Sequence, residues 1–195
     1  MSNKLSQRQF EKHIAHLQPE ELAAELGKLF KKFKDVQHYY QMEFGEKEGR
    51  VGVLDEYKKS IRGQFYSANG NPKNPKASQL RKILADFKNV AVFQSDLVDL
   101  ILYRVECAVD FTNDFGDIDM VFYESAGNAF AQATKIIDAE KLHPQFIERC
   151  QQIVTNTKGI GWGFHDDLLT IYVESFGFNL PIIEHRNRAQ RLAGR

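Results

Sequence analysis

Cysteine, proline and tryptophan are scarce in this chain of 195 residues, which contains two, five and one of them. Cys107 and Cys150 are far apart in the sequence, and each lies among apolar neighbours. This pattern predicts small buried thiols in a reducing compartment. A chain of this length needs no disulfides to stabilise its core, and two such cysteines cannot form a zinc site alone.

Long apolar runs are missing as well. No segment approaches the roughly 18 apolar residues that a membrane span requires. Residues 1–10 are polar and lack the apolar centre of a signal peptide. We therefore expect a cytoplasmic protein without a membrane-spanning segment.

Net charge is also absent, because 26 basic residues balance 26 acidic ones. A general nucleic-acid-binding protein normally carries a basic excess, so nucleic acid is not the expected partner. Residues 181–195 are the exception and are predicted to form a flexible basic tail. Weak contact with nucleic acid through this tail remains a minority interpretation. The tail's basic residues are His185, Arg186, Arg188, Arg191 and Arg195.

The motifs of several common enzymes are not present. The chain has no glycine-rich phosphate loop followed by lysine, no His-Glu-x-x-His and no Gly-x-Ser-x-Gly. The segment Asp117-Ile118-Asp119 resembles the start of a calcium loop but lacks the later glycine and glutamate. No reaction follows from any sequence motif.

Apolar residues recur at three- and four-residue spacing almost throughout, which predicts an all-α protein of about eight or nine helices. We expect one domain over residues 1–180, as a bundle or a short superhelix of helix pairs. Residues 67–75 contain Asn-Gly and two prolines, so they form either a hinge or a plain surface loop. Pro19 starts a helix whose predicted buried stripe consists of Leu22, Leu26, Leu29, Phe30 and Phe33.

The predicted central helix covers residues 95–116 and is apolar around most of its circumference. Its polar arc includes Glu106 and Asp110, which stand one turn apart and repel each other unless solvent, a cation or a basic side chain intervenes. A solvent-exposed face is the simplest interpretation of this arc. Arg104 points into the apolar arc and needs a carboxylate partner or a path to water. The candidate structural partners of Arg104 are Asp117, Asp119 and Glu124.

The densest cluster of unusual residues is Gly161-Trp162-Gly163-Phe164-His165-Asp166-Asp167. On a helix beginning near Trp162, His165 falls within the apolar arc. A core histidine bonded to a carboxylate or carbonyl is the simplest explanation. The functional alternative is a pocket shared with the central helix, in which histidine and carboxylates bind a metal or provide a general base.

The candidate pocket between the central and last helices therefore contains two groups of residues, predicted metal ligands and other pocket residues. Its metal ligands would be Glu106, Asp110 and His165, and the cofactor a divalent cation. The Glu-x-x-His signature of di-iron bundles is absent. The other candidate pocket residues are Asp117, Asp119, Trp162 and Asp166.

Several segments together resemble a bacterial protein family of unknown function. The resemblance implies a small helical protein and supplies no activity or catalytic residue. It extends to about Gly177, and its last segment is the most specific. The segments are Lys31-Lys32-Phe33-Lys34-Asp35-Val36, Tyr39-Tyr40, Val105-Glu106, Phe111-Thr112-Asn113, Gly116-Asp117-Ile118-Asp119, Phe122-Tyr123 and Ile160-Gly161-Trp162-Gly163-Phe164-His165-Asp166.

Balanced charge, abundant aromatic residues and the lack of a catalytic motif favour a non-enzymatic binding or protein-interaction module with a protein partner. The alternative is a metal-dependent, hydrolase-like enzyme that uses the carboxylate and histidine pocket.

Overall fold

A computed structural model describes residues 4–177, and within this range the chain forms nine α-helices and no β-strand. The all-α prediction is confirmed. The predicted basic tail, 181–195, lies outside the described residues. The helices are α1 (Gln7–Ile14), α2 (Pro19–Lys32), α3 (Lys34–Phe44), α4 (Lys47–Phe65), α5 (Ala77–Val90), α6 (Gln94–Phe115), α7 (Met120–Glu140), α8 (His143–Asn156) and α9 (Phe164–Phe176).

The chain divides into two compact units, with the boundary inside α6 between Leu100 and Ile101. In the first unit, α3, α4 and α5 pack against one another, and α2 packs against α3. The fully buried side chains of Met42, Ile61 and Phe87 come from these three mutually packed helices. A single domain over residues 1–180 stays a prediction.

The segment 67–75 is a hydrogen-bonded loop between α4 and α5. The amide of Ser67 donates to the carbonyl of Asn71 at 2.8 Å, and the amide of Gly70 donates to the carbonyl of Ser67 at 2.9 Å. The amide of Lys73 returns to the carbonyl of Phe65 at 2.8 Å, which ties the loop to the end of α4. These bonds fit the surface-loop interpretation, whereas a hinge function stays a prediction.

In the second unit, α7 packs against α8 and α9, and α8 packs against α9. The buried positions of α7 include Ala126, Ala129 and Ala133, whose small side chains let helix axes approach closely. Gly116, at a φ of 88°, follows the end of α6. The Asp119 carboxylate then accepts the amide of Phe122 at 2.8 Å and caps α7.

The start of the last helix was predicted two residues too early. Trp162 and Gly163 have φ angles of 61° and 70°, in the left-handed region, so the helix begins at Phe164. A left-handed tryptophan is uncommon because its Cβ crowds the backbone, so the sequence gives no warning of this turn. Gly177 ends α9.

The predicted burial of the α2 stripe is wrong. No residue of α2 is buried, and its large apolar side chains, together with the adjoining Phe33, are 37–46% exposed. The three- to four-residue period correctly indicated a helix with an apolar face. It could not indicate whether the same chain supplies the surface that covers that face. Within residues 4–177, the structure contains no helix with the length and apolar character to cross a membrane.

Candidate functional site

Glu106, in the polar arc of α6, forms a bidentate ion pair with Arg149 of α8. Arg149 donates from Nε to Oε1 of Glu106 at 2.6 Å and from a terminal nitrogen to Oε2 at 2.9 Å. A guanidinium and a carboxylate aligned in this way form one of the stronger ionic contacts of proteins. The sequence left three ways to relieve the repulsion between Glu106 and Asp110: solvent, a cation or a basic side chain. For Glu106 the fold provides the basic side chain of Arg149.

His165 lies on the first turn of α9 and is half-buried. Its Nδ1 is 2.8 Å from the hydroxyl of Thr157, a fully buried residue after the end of α8. The same hydroxyl lies 2.6 Å from the carbonyl of Val154 and donates to it. Because the Thr157 proton is used in that bond, Nδ1 of His165 is the donor to the Thr157 oxygen, which fixes the tautomer of the ring. The histidine therefore links α9 to the end of α8.

The two aspartates before α7 have separate tasks. Asp119 is the cap of α7, whereas Asp117 accepts a hydrogen bond from the hydroxyl of Tyr123 at 3.4 Å. An oxygen of Asp117 also lies only 2.6 Å from where a Cβ on Gly161 would be. Glycine at position 161 therefore gives room to a side chain of this same unit.

The predicted metal ligands are not gathered. Among the residues that the structure describes, no three His, Cys, Asp or Glu side chains form a group that could hold a metal ion. The Glu106 carboxylate is instead bound at both oxygens by Arg149, and a ring nitrogen of His165 is bound to Thr157. The metal site predicted from Glu106, Asp110 and His165 is thus not supported by the geometry.

The remaining predicted positions are on the surface or in the core. Trp162 is 58% exposed and Asp166 is also exposed. Arg104 is buried, as predicted, and donates to both the carbonyl and the hydroxyl of Ser125 on α7. Its contact with a carboxylate stays a prediction.

A different surface stands out in the first unit. We call it the α2 face, and it runs along one side of α2 to its C-cap. Monomeric proteins expose single apolar side chains routinely, but an aligned row of this size is typical of an interaction surface. Its members are Leu22, Leu26, Leu29, Phe30 and Phe33, each between 37% and 46% exposed.

A cleft adjoins the α2 face at Phe30, which belongs to both. The cleft has a volume of about 620 Å³ and lies between the end of α2, α3 and α4. Gly49 borders it, and a Cβ there would meet the side-chain amide of Gln41 at 1.7 Å. The lining consists of Phe30, Lys34, Gln37, His38, Gln41, Gly49, Gly52, Val53 and Glu56.

The charges of the cleft centre on Glu56. The ammonium of Lys34 donates to its carboxylate and lowers the pKa of that carboxyl below its ordinary value. Nε2 of His38 lies 3.4 Å from the same oxygen, and its buried Nδ1 has no hydrogen-bond partner among the described residues. The cleft thus presents an ion pair and amide groups beside an apolar row.

Sequence reasoning missed Arg149, Thr157 and the whole cleft. Arg149 is 43 residues from Glu106 in the chain, and the cleft joins residues of three helices. One signal is present in the sequence: the spacing of the apolar row beginning at Leu22 indicates the α2 face, although the row is exposed and not buried as predicted.

A scan against profiles of known protein families matches residues 5–176 to a family described as "Family of unknown function (DUF6155)". The match ends at Phe176, the last residue of α9. No curated protein and no solved structure matches the chain significantly.

Proposed function

The chain belongs to DUF6155, a family of unknown function, and we propose that it is a protein-interaction module that holds an amphipathic helix of a protein partner on the α2 face. One observation carries this proposal: the apolar side chains of α2 are ordered along one side of a helix that has no buried residue. Docking of an apolar helical face into such a row is a common mode of peptide recognition.

The surroundings of the face match the anatomy of an interface. Protein–protein interfaces combine an apolar centre with a polar rim that supplies hydrogen bonds. The α2 face provides the centre, and Gln37, Gln41 and Glu56 at the border of the cleft provide donors and acceptors. Phe30 lies at the junction, where an aromatic side chain contributes a large contact area.

The metal-dependent enzyme has no comparable support. Its proposed ligands, Glu106 and His165, are engaged by Arg149 and Thr157 in contacts that bind helices of the second unit together. The interaction module therefore remains the function that the geometry favours.

The test uses a labelled, stapled peptide that forms a leucine-faced amphipathic helix, titrated with the full chain in a fluorescence anisotropy assay. We expect the double substitution Leu26→Glu and Leu29→Glu to weaken binding at least about tenfold, because it places two charges in the centre of the apolar row. Since neither leucine is buried in the chain, the helical content should remain.

Ala24→Glu is the matched control, because Ala24 lies on the opposite side of α2 and is also exposed. It adds one glutamate away from the α2 face and should leave binding unchanged. If the unsubstituted chain does not bind the peptide, or if all three proteins bind equally well, the proposed function is wrong.

A further inference from the structure

Acidic and basic residues are separated along α2. The first half carries Glu20, Glu21 and Glu25, and the second half carries Lys28, Lys31 and Lys32. At about 100° per residue, four of them lie along one edge of the α2 face, within an arc of roughly 60°. In chain order this edge reads Glu21, Glu25, Lys28 and Lys32.

The apolar row has the spacing of a coiled-coil seam. Leu22, Leu26, Leu29 and Phe33 are separated by four, three and four residues, which corresponds to the heptad order d, a, d, a. Glu25 and Lys32 then occupy the g positions beside the seam, where interhelical ion pairs determine the orientation of two helices.

Antiparallel pairing of two such helices is self-complementary. With the two-fold axis near Gly27 and Lys28, Leu26 of one copy meets Leu29 of the other. Glu25 of one copy then lies beside Lys28 and Lys32 of the other, and the same contacts repeat across the axis. In a parallel pair, by contrast, each g position lies beside an e position of the other helix, so Glu25 would lie beside Phe30 and gain no charged partner.

We propose that the α2 face binds a second copy of this chain, with the two α2 helices antiparallel in a symmetric dimer. This proposal rests on the proposed function and names its partner. Among the described residues, this edge forms an ion pair between Lys28 and Glu25, whose side chains are 70% and 54% exposed. An exposed pair of this kind constrains little, so both charges can turn toward a partner helix.

Gly27 fits this arrangement, because a Cβ built on it would meet no atom within 4 Å. The side of α2 on which Gly27 lies is therefore not covered at this point.

The test measures the mass of the full chain by sedimentation over a concentration series. We expect a reversible dimer for the unsubstituted chain. Glu25→Lys alone should raise its dissociation constant about tenfold or more, because two attractive positions per dimer become repulsive. The double substitution Lys28→Glu and Lys32→Glu should weaken it similarly.

Mixing these two variants is the decisive step. Lysine at position 25 of one variant then lies between glutamates 28 and 32 of the other, and the original Lys28 and Lys32 meet an original Glu25. A one-to-one heterodimer should form although each variant alone is monomeric. Lys31→Glu, on the opposite side of α2, is the matched control and should leave the dimer unchanged.

The outcomes separate the two proposals. A chain that is monomeric throughout, yet binds the stapled peptide through Leu26 and Leu29, overturns the dimer and leaves the interaction module standing. A dimer that ignores Glu25→Lys, or variants that do not combine on mixing, overturns the antiparallel pairing. Peptide assays should be run below the concentration at which the chain dimerises, so that self-association does not mask peptide binding.

Discussion

Removing one oxygen atom from Tyr172 should stabilise the protein. Tyr172 is fully buried in α9 and stacks on Phe176 with ring centroids 5.0 Å apart. Its hydroxyl is buried and has no hydrogen-bond partner among the described residues. Burial raises the pKa of Tyr172, so the group is a neutral phenol under ordinary conditions.

The expected magnitude follows from the cost of that unpaired hydroxyl. A buried polar group without a partner costs about 1–3 kcal/mol relative to the unfolded chain, where water satisfies it. Tyr172→Phe removes this cost and leaves only a gap the size of one oxygen atom, which forfeits a fraction of a kcal/mol. We therefore expect the free energy of unfolding to rise by about 1 kcal/mol, equivalent to roughly 2–4 °C in the melting temperature.

Tyr123→Phe is the matched control in the same unit. The Tyr123 hydroxyl accepts the amide of Ile118 at 3.2 Å, and it lies 3.3 Å from the hydroxyl of Thr112. The same substitution there should lower the free energy of unfolding by about 1–2 kcal/mol. Urea unfolding followed by circular dichroism measures both variants. Equal effects of the two substitutions, or a loss of stability in Tyr172→Phe, would refute the reasoning.

Two further predictions concern the core of the second unit. A double-mutant cycle with Arg149→Met and Glu106→Gln should give a coupling free energy of about 1 kcal/mol or more. The reason is that both side chains are at most 32% exposed and share two hydrogen bonds. A coupling free energy within error of zero, measured by urea unfolding, would contradict this prediction. Burial raises the pKa of the Cys150 thiol from 9.0 to about 12. The stabilisation from keeping this thiol protonated in the fold is therefore fully present below pH 9. Between pH 9 and 12 the free energy of unfolding falls by about 1.4 kcal/mol per pH unit, because only the unfolded chain loses the thiol proton there. Cys150→Ala should flatten this decline in the free energy of unfolding between pH 9 and 11, and an unchanged slope would show that the thiol is not protected.

Several helix ends depend on local signals. Gly116, Asp119 and Gly177 act through their own backbone conformation or through a side chain three residues from its partner, so a short stretch of sequence contains the whole interaction. Trp162 shows the limit of such signals. Its left-handed conformation is imposed by the turn between α8 and α9, and its residue type favours another conformation.

The candidate site was less predictable because its contacts are distant in sequence. The wheel of α6 placed Glu106 and Asp110 on one side, but it could not identify Arg149, which arrives from α8. For His165 the expected partner was a carboxylate or a carbonyl, whereas the fold supplies the Thr157 hydroxyl. The residue types that suggested a metal site are thus compatible with polar contacts that join helices.

The charge order of α2 has two explanations, and one pair of lysines separates them. Acids near the start of a helix and bases near its end interact favourably with the helix dipole on any side of the helix, but only within the first and last turns. Glu25 and Lys28 lie in the middle of α2, where this effect has faded, so the dipole does not account for them. Lys31 and Lys32 both lie in the last turn, and their replacement by glutamate perturbs the dipole equally. Only Lys32 borders the α2 face, so a dimer that is weakened by Lys32→Glu and unaffected by Lys31→Glu would attribute the charge order to pairing between helices.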